Sequence, residues 1–186
     1  MSAAPAAGSG VTVREARAEE LERLLAVHRA AFGSDEEAGL VRAILMDESA
    51  APTLSLVAAD RDDVLGHILF SRVQLGGGAD GSILCPLAVM PEAQARGIGG
   101  ALIREGLVRL AAGNEGDDVR AVFVYGDPAY YGRFGFTAAI PQELPPPHPI
   151  PEAHLDAWMV RTPDGGALDV AGPVRCCDAL DDPAYW

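Results

Sequence analysis

The residues with the clearest chemical meaning are Gln94-x-x-Gly97-x-Gly99, which follow the apolar run Leu84-Cys-Pro-Leu-Ala-Val89 and lead directly into a helical pattern beginning near Ile98. The first turn of a helix carries N–H groups without intrahelical partners, and the macrodipole adds about half a positive charge there. Glycine at 97 and 99 lets a ligand come close to the main chain, so a phosphate or pyrophosphate can be held by backbone amides alone. By spacing alone the loop could serve a nucleotide, another phosphate, or plain helix packing. A Walker loop is excluded because no Lys-Ser or Lys-Thr follows Gly99. A dinucleotide fold would need an acidic residue about 20 residues further on, at the end of a second strand, and a long alternating βα series. Here the loop comes at mid-chain, after hairpins.

The elements that must position this loop follow from periodicity. Val11 to Glu15 reads as a short strand. Leu21, Leu24, Leu25, His28 and Phe32 recur at helical spacing, with Glu19, Glu20, Glu22 and Arg23 facing away. Gly33 ends that helix, Ser34 or Asp35 caps the next, and Leu40, Val41, Ile44 and Leu45 form its buried stripe. Leu54 to Ala59 and Val64 to Leu75 form a hairpin around Asp60-Arg61-Asp62-Asp63, and a second turn lies at Gly76 to Gly81. Ser82 to Val89 is the strand that feeds the glycine loop. Pro86 within it cannot donate a ladder hydrogen bond, which implies a bulge or a splayed edge.

From Gly97 to Ala112 a helix places Ile98, Ala101, Leu102, Gly106 and Leu110 inward, pairs Glu105 with Arg109, and stops at Gly113-Asn-Glu-Gly116. Val119 to Tyr125 then completes a βαβ unit with parallel strands. Asp127-Pro128 starts a short helical turn that carries Tyr130 and Tyr131. Pro141 to Pro151 is an extended connector, and Leu155 to Arg161 a last strand.

The chain has 186 residues and a net charge of −13. Its length fits one domain, and no apolar run approaches the roughly 20 residues that span a bilayer. The acidic balance argues against nucleic acid and favours cationic small molecules or basic peptides. Residues 1–10 read as a disordered tail that is neither signal nor transit peptide. Cys85, Cys176 and Cys177 make neither a disulfide framework nor a spaced metal site, so no metal and a reducing cytoplasm are expected. His28 and His67 read as packing histidines.

Three separated pieces in order resemble the GNAT superfamily of acyl-CoA-dependent N-acetyltransferases. Two helices follow the first strand. Leu87-Ala-Val-Met-Pro-Glu-Ala-Gln-Ala-Arg-Gly-Ile-Gly-Gly-Ala-Leu102 is similar to the family's acetyl-CoA motif. Val124-Tyr-Gly-Asp-Pro-Ala-Tyr-Tyr-Gly-Arg-Phe-Gly-Phe136 is similar to its later segment, with a wording like that of the YhbS-like branch. The resemblance implies an α/β (α+β) fold of six to seven strands in a mixed sheet, a bulged fourth strand splayed from the fifth, and about four flanking helices. It covers residues 11–175, with a C-terminal tail at 176–186.

The resemblance also implies acetyl-CoA as co-substrate, without a metal. Main-chain groups of Leu87, Ala88 and Val89 would hold the pantetheine and polarise the thioester. Gln94, Ala95, Arg96, Gly97, Ile98, Gly99, Gly100 and Ala101 would hold the pyrophosphate. Tyr131 would act as general acid toward the leaving thiolate, with Tyr130 in reserve. Ile83 stands where some relatives carry a carboxylate base, which leaves water, Asp80, His67 or Cys85 as routes for the amine's proton. Asp127 replaces a common asparagine and reads as a helix cap. The implied function is acetyl transfer to a primary amine of a small molecule or peptide by direct attack in a ternary complex. The alternative is a non-catalytic acyl-CoA sensor or interaction module.

Overall fold

Alternation of apolar residues along adjacent strands sorts the core onto the two faces of one sheet. The structure, a computed structural model, describes residues 10–113 and 118–186. The expected N-terminal tail, apart from Gly10, and residues 114–116 of the expected helix stop lie outside the described residues. The strands are β1 (Thr12–Glu15), β2 (Leu54–Asp60), β3 (Asp63–Gln74), β4 (Asp80–Val89), β5 (Val119–Tyr125), β6 (Thr137–Ala138) and β7 (Trp158–Arg161). The helices are α1 (Leu21–Phe32), α2 (Glu36–Met46), α3 (Ile98–Ala112) and the single turn α4 (Pro128–Tyr131). All seven strands form one mixed sheet in the order β1-β2-β3-β4-β5-β7-β6. The β4–β5 pair is parallel and the others antiparallel, as a βαβ unit flanked by hairpins requires.

Leu69, Val73, Ile83, Ala121 and Phe123 face α1 and α2, while Ile68, Phe70, Leu84, Val122 and Val124 face α3. The α3 stripe is made by Ile98, Leu102, Ile103, Gly106 and Leu107, with Leu110 packed half-buried at its end, so Ile103 and Leu107 join the expected inward residues and Ala101 stays half-exposed. At the end of α1, Phe32 is 46% exposed instead of buried. Glu20, expected to face solvent, is buried because Arg14 reaches it from β1 with bonds of 2.6 and 2.8 Å while the Arg17 N–H donates to the same carboxylate at 2.8 Å. The expected last strand is shorter and preceded by a 3-10 segment at Glu152–Ala157, and the two-residue β6 went unread.

Residues 176–186 return to the α2 face of the sheet. Cys177 and Leu180 are buried there, and Trp186 packs on Tyr125 and Trp158. The backbone N–H groups of Asp178 and Ala179 donate to Ser49 Oγ and the Asp47 carboxylate at 2.9 and 2.8 Å. The core therefore draws on residues beyond 175. Among the described residues no helix is long and apolar enough to cross a membrane.

Candidate active site

One extra residue in β4 opens the sheet. Leu87 pairs with Ile68 of β3, but the next register point joins Leu84 to Phe70, so β4 advances three residues while β3 advances two. The bulge falls on Cys85-Pro86, where the missing proline N–H makes it cheap. Pairing of β4 with β5 ends at Ile83 and Phe123. Beyond that point Leu87, Ala88 and Val89 hydrogen-bond along β3 only, and their other edge borders a cleft of about 660 Å³.

That cleft is lined by Leu87, Ala88 and Val89 on β4 and by Gln94, Ala95, Gly97, Ile98, Gly99 and Gly100 at the start of α3. Gly97 has a φ of 80°, a left-handed value suited to glycine, and it turns the chain into the helix. The first intrahelical bond, Ala101 N–H to Gly97 O, is 3.0 Å long. The N–H groups of Ile98, Gly99 and Gly100 therefore have no intrahelical acceptor and form the cradle that the loop implies. Ala101 and Arg96 are not among the lining residues. Gln94 is used internally: its Nε2 donates to Val89 O at 3.1 Å and so ties the loop to the end of β4.

Tyr130 is among the residues that line this cleft, and Tyr131 is not. Asp127 Oδ1 accepts from the Ala129 N–H at 2.9 Å, which starts α4 and fixes the turn carrying both rings. A Cβ on Gly99 would lie 2.6 Å from the Tyr130 hydroxyl, so the tip of the Tyr130 side chain leans over the cradle. Tyr131 packs its ring on Gly126 just past β5, where a Cβ would come within 2.4 Å, and edge-on against Phe136. Burial pushes the Tyr131 phenol above its ordinary range, with Tyr130 and Cys85 adding to the effect. Burial raises Tyr130 as well, while the guanidiniums of Arg133 and Arg104 oppose it. Both phenols keep their protons at neutral pH.

A family model described as an acetyltransferase (GNAT) domain matches residues 12–139. The chain belongs to the GNAT acetyltransferase family. It is 42% identical over 156 residues to YjhQ of Escherichia coli K12, described as an uncharacterized N-acetyltransferase, covering 82% of this chain and 84% of that relative. The crystal structure of the GNAT family protein YhbS from Escherichia coli in complex with CoA matches with a TM-score of 0.82 at 29% identity, covering 98% of this chain and 97% of that one. A GNAT structure from Brucella melitensis in complex with acetyl-CoA matches with a TM-score of 0.72 at 32% identity, covering 93% and 99%.

Within this GNAT frame the side chains considered as proton routes are widely separated. Asp80 begins β4 seven positions before Leu87, roughly 23 Å away along an extended strand, and is paired with Arg72 at 2.8 Å. Cys85 is at the bulge, but burial pushes its thiol up to about 12. His67 pairs with Ala88 across β3 and β4, yet its Nδ1 shares a 2.8 Å bond with His28 Nε2 and its Nε2 a 2.9 Å bond with Ser55 Oγ. Burial lowers His67 to about 3 and His28 to about 4, so both imidazoles are neutral at pH 7. Ile83 is buried under α2 as a core residue.

Three cleft residues went unread in the sequence: Arg104 on α3, and Arg133 and Phe134 just after α4. Ala31 and Phe32, at the end of α1, complete the opposite wall. The exposure of Phe32 is thus explained by the cleft it borders. A shallower hollow of about 440 Å³, lined by Tyr125, Asp127, His154 and Asp156, adjoins Gly126.

Proposed function

We propose that this GNAT protein transfers the acetyl group of acetyl-CoA directly to a primary amine of a small molecule or peptide, with both substrates bound together. The observation that carries this reading is the parting of β4 from β5 at the Cys85-Pro86 bulge, which leaves a free strand edge beside the amide cradle of α3. The residues present fit an acyl-CoA: a left-handed turn at Gly97, three free amides for a pyrophosphate, and an unpaired strand edge for an extended chain.

In this reading the free main-chain edge at Leu87 to Val89 aligns the pantetheine and polarises the thioester carbonyl as the amine attacks. The Tyr131 hydroxyl supplies a proton to the departing thiolate. A phenol suits that role because it stays protonated at neutral pH until the thiolate forms. The cleft offers no ionised side chain as base among the residues weighed for it, so the amine's proton leaves through water. The carboxylates of Asp127 and Asp156 beside Gly126, together with the overall negative charge, support a cationic acceptor.

The test is CoA release from acetyl-CoA across polyamines, amino acids, aminoglycosides and peptide N-termini, followed by Tyr131→Phe and Tyr130→Phe on an accepted amine. Tyr131→Phe is expected to lower kcat about 10²-fold or more, with acetyl-CoA affinity unchanged. Full turnover by both variants would remove the tyrosines from the mechanism.

A further inference from the structure

Beyond Ile83 and Phe123, the last pair of β4 and β5, the next residues of the two strands that face α2 are Cys85 and Tyr125. The opening between the strands therefore has a second mouth, on the sheet face away from α3. Tyr125 leads from it into the hollow beside Gly126. α2 covers the same face, since Ala38, Val41 and Ile44 share one core cluster with Cys85.

Glu37 belongs to this inward side of α2. It stands three residues before Leu40 and four before Val41, both buried, so its side chain leaves the helix toward the sheet. Helical side chains lean toward the start of their helix, and there Ser34 Oγ donates to Glu37 Oε2 at 2.8 Å. Ser34 lies in the turn just after Ala31 and Phe32, which wall the cofactor cleft. Glu37 is half-buried, and its charge acts on two neighbours of the opening. Burial raises the Cys85 thiol, Cys177 and Glu37 add to the rise, and no other carboxylate contributes. Burial lowers His28 on α1, and Glu37 opposes it. Cys85 in turn adds to the rise of the Tyr131 phenol. The bulge residue thus neighbours both a carboxylate and the phenol assigned to the leaving thiolate.

We infer that Glu37 is the base of the transfer: on the α2 side of the opening it takes, through water, the proton that the acceptor ammonium loses before attack. This inference rests on the acetyl-transfer reading above and adds the destination of the proton. The first ammonium proton passes to Glu37, the nitrogen bonds to the thioester carbon, and the C–S bond breaks as Tyr131 protonates the sulfur. The second nitrogen proton then restores the phenol, and Glu37 returns the first to solvent.

The chain contains no lysine, so a lysine introduced at one position becomes its sole side-chain amine. That permits a test without a known acceptor. Glu37→Lys places an amine where the base stands, and Arg42→Lys places one five residues on, on the outward face of the same helix. Each full-length variant is incubated with acetyl-CoA and mapped by peptide mass spectrometry. Position 37 should be acetylated at least about tenfold faster than position 42, and excess CoA should suppress the difference. In parallel, Glu37→Gln should lower kcat for an accepted amine about 10²-fold, with Tm and the Kd for CoA unchanged. Its loss should shrink to below about tenfold for a fluorinated analogue of that amine, whose nitrogen is already unprotonated at neutral pH.

Acetylation at 37 no faster than at 42, in a variant that calorimetry shows to bind CoA, overturns the inference. So does full turnover by Glu37→Gln, or a fall in its Tm that accounts for the lost activity. Should Glu37→Lys not bind CoA, the Glu37→Gln kinetics decide. Failure of the wild-type chain to bind CoA overturns the acyl-CoA reading itself, and this inference with it.

Discussion

Gly106 is where α3 is pressed hardest onto the sheet, and the same change made there and at Gly39 should have opposite signs. A Cβ at Gly106 would lie 2.4 and 2.5 Å from Cε2 and Cζ of Phe70, a fully buried ring on β3. Carbon atoms pack at about 3.5 to 4.0 Å, so either the ring leaves its place or α3 backs off by about 1 Å. Such overpacking costs about 1 to 3 kcal/mol, and the helix propensity gained from alanine returns about 1 kcal/mol. Gly106→Ala should therefore lose up to about 2 kcal/mol, a fall in Tm of up to roughly 8 °C for a chain of this size. Gly39, in α2, has nothing within 4 Å of its Cβ position. Gly39→Ala should gain about 0.5 to 1 kcal/mol by reducing the freedom of the unfolded chain. Because α3 carries the free amides of Ile98 to Gly100, Gly106→Ala should also raise the Kd for CoA by up to about tenfold, whereas Gly39→Ala should not. Thermal denaturation and CoA titration read both effects. A Tm for Gly106→Ala at or above wild type would refute the claim that the Phe70 contact sets the height of the cradle.

Asp127→Ala should cost about 1 kcal/mol through loss of the cap, and should lower turnover further because Tyr130 and Tyr131 ride on that turn; Asp127→Asn should restore both. Glu20, held near 2 by Arg14 against an ordinary 4.5, contributes stability that is complete above pH 4.5 and lost as pH falls through about 2. Denaturant titrations across pH should show about 2 kcal/mol of acid-sensitive stability, absent in Glu20→Gln. The buried His28–His67 pair adds an earlier loss: with folded values of about 4 and 3 against 6.5, stability declines as pH drops below 6.5. A His28→Leu, His67→Leu double variant should flatten the curve between pH 6.5 and 4; an unchanged curve would show that the imidazoles are not buried neutral.

What could be read from the sequence was whatever backbone chemistry dictates locally. Pro86 announces a broken ladder because it has no N–H, and Gly97 announces a turn into the helix because it can take a positive φ. The Asp127-Pro128 pair announces a helix start for similar reasons. Features set by tertiary partners were not legible. Glu20 has the spacing of an exposed glutamate, and only the strand that brings Arg14 beside it makes burial tolerable. Phe32 continues the apolar stripe of α1, but the helix reaches past the edge of the core to the cleft. Arg104 and Arg133 look like solvent-facing charges in one dimension, since their common neighbour Phe134 belongs to a different element from Arg104. The segment after 175 has no period to reveal Cys177 and Leu180 as core, because single residues rather than a stripe plug the α2 face.

The register of β4 divides one strand into two kinetic regimes. From Asp80 to Ile83 its amides lie between two neighbours and should exchange hydrogen only on global unfolding, whereas from Leu87 to Val89 those on the β5-facing edge should exchange through local fluctuation. Protection of that second half on adding CoA, with no change in the first, would mark the bulge as the boundary at which a folding element becomes a recognition element.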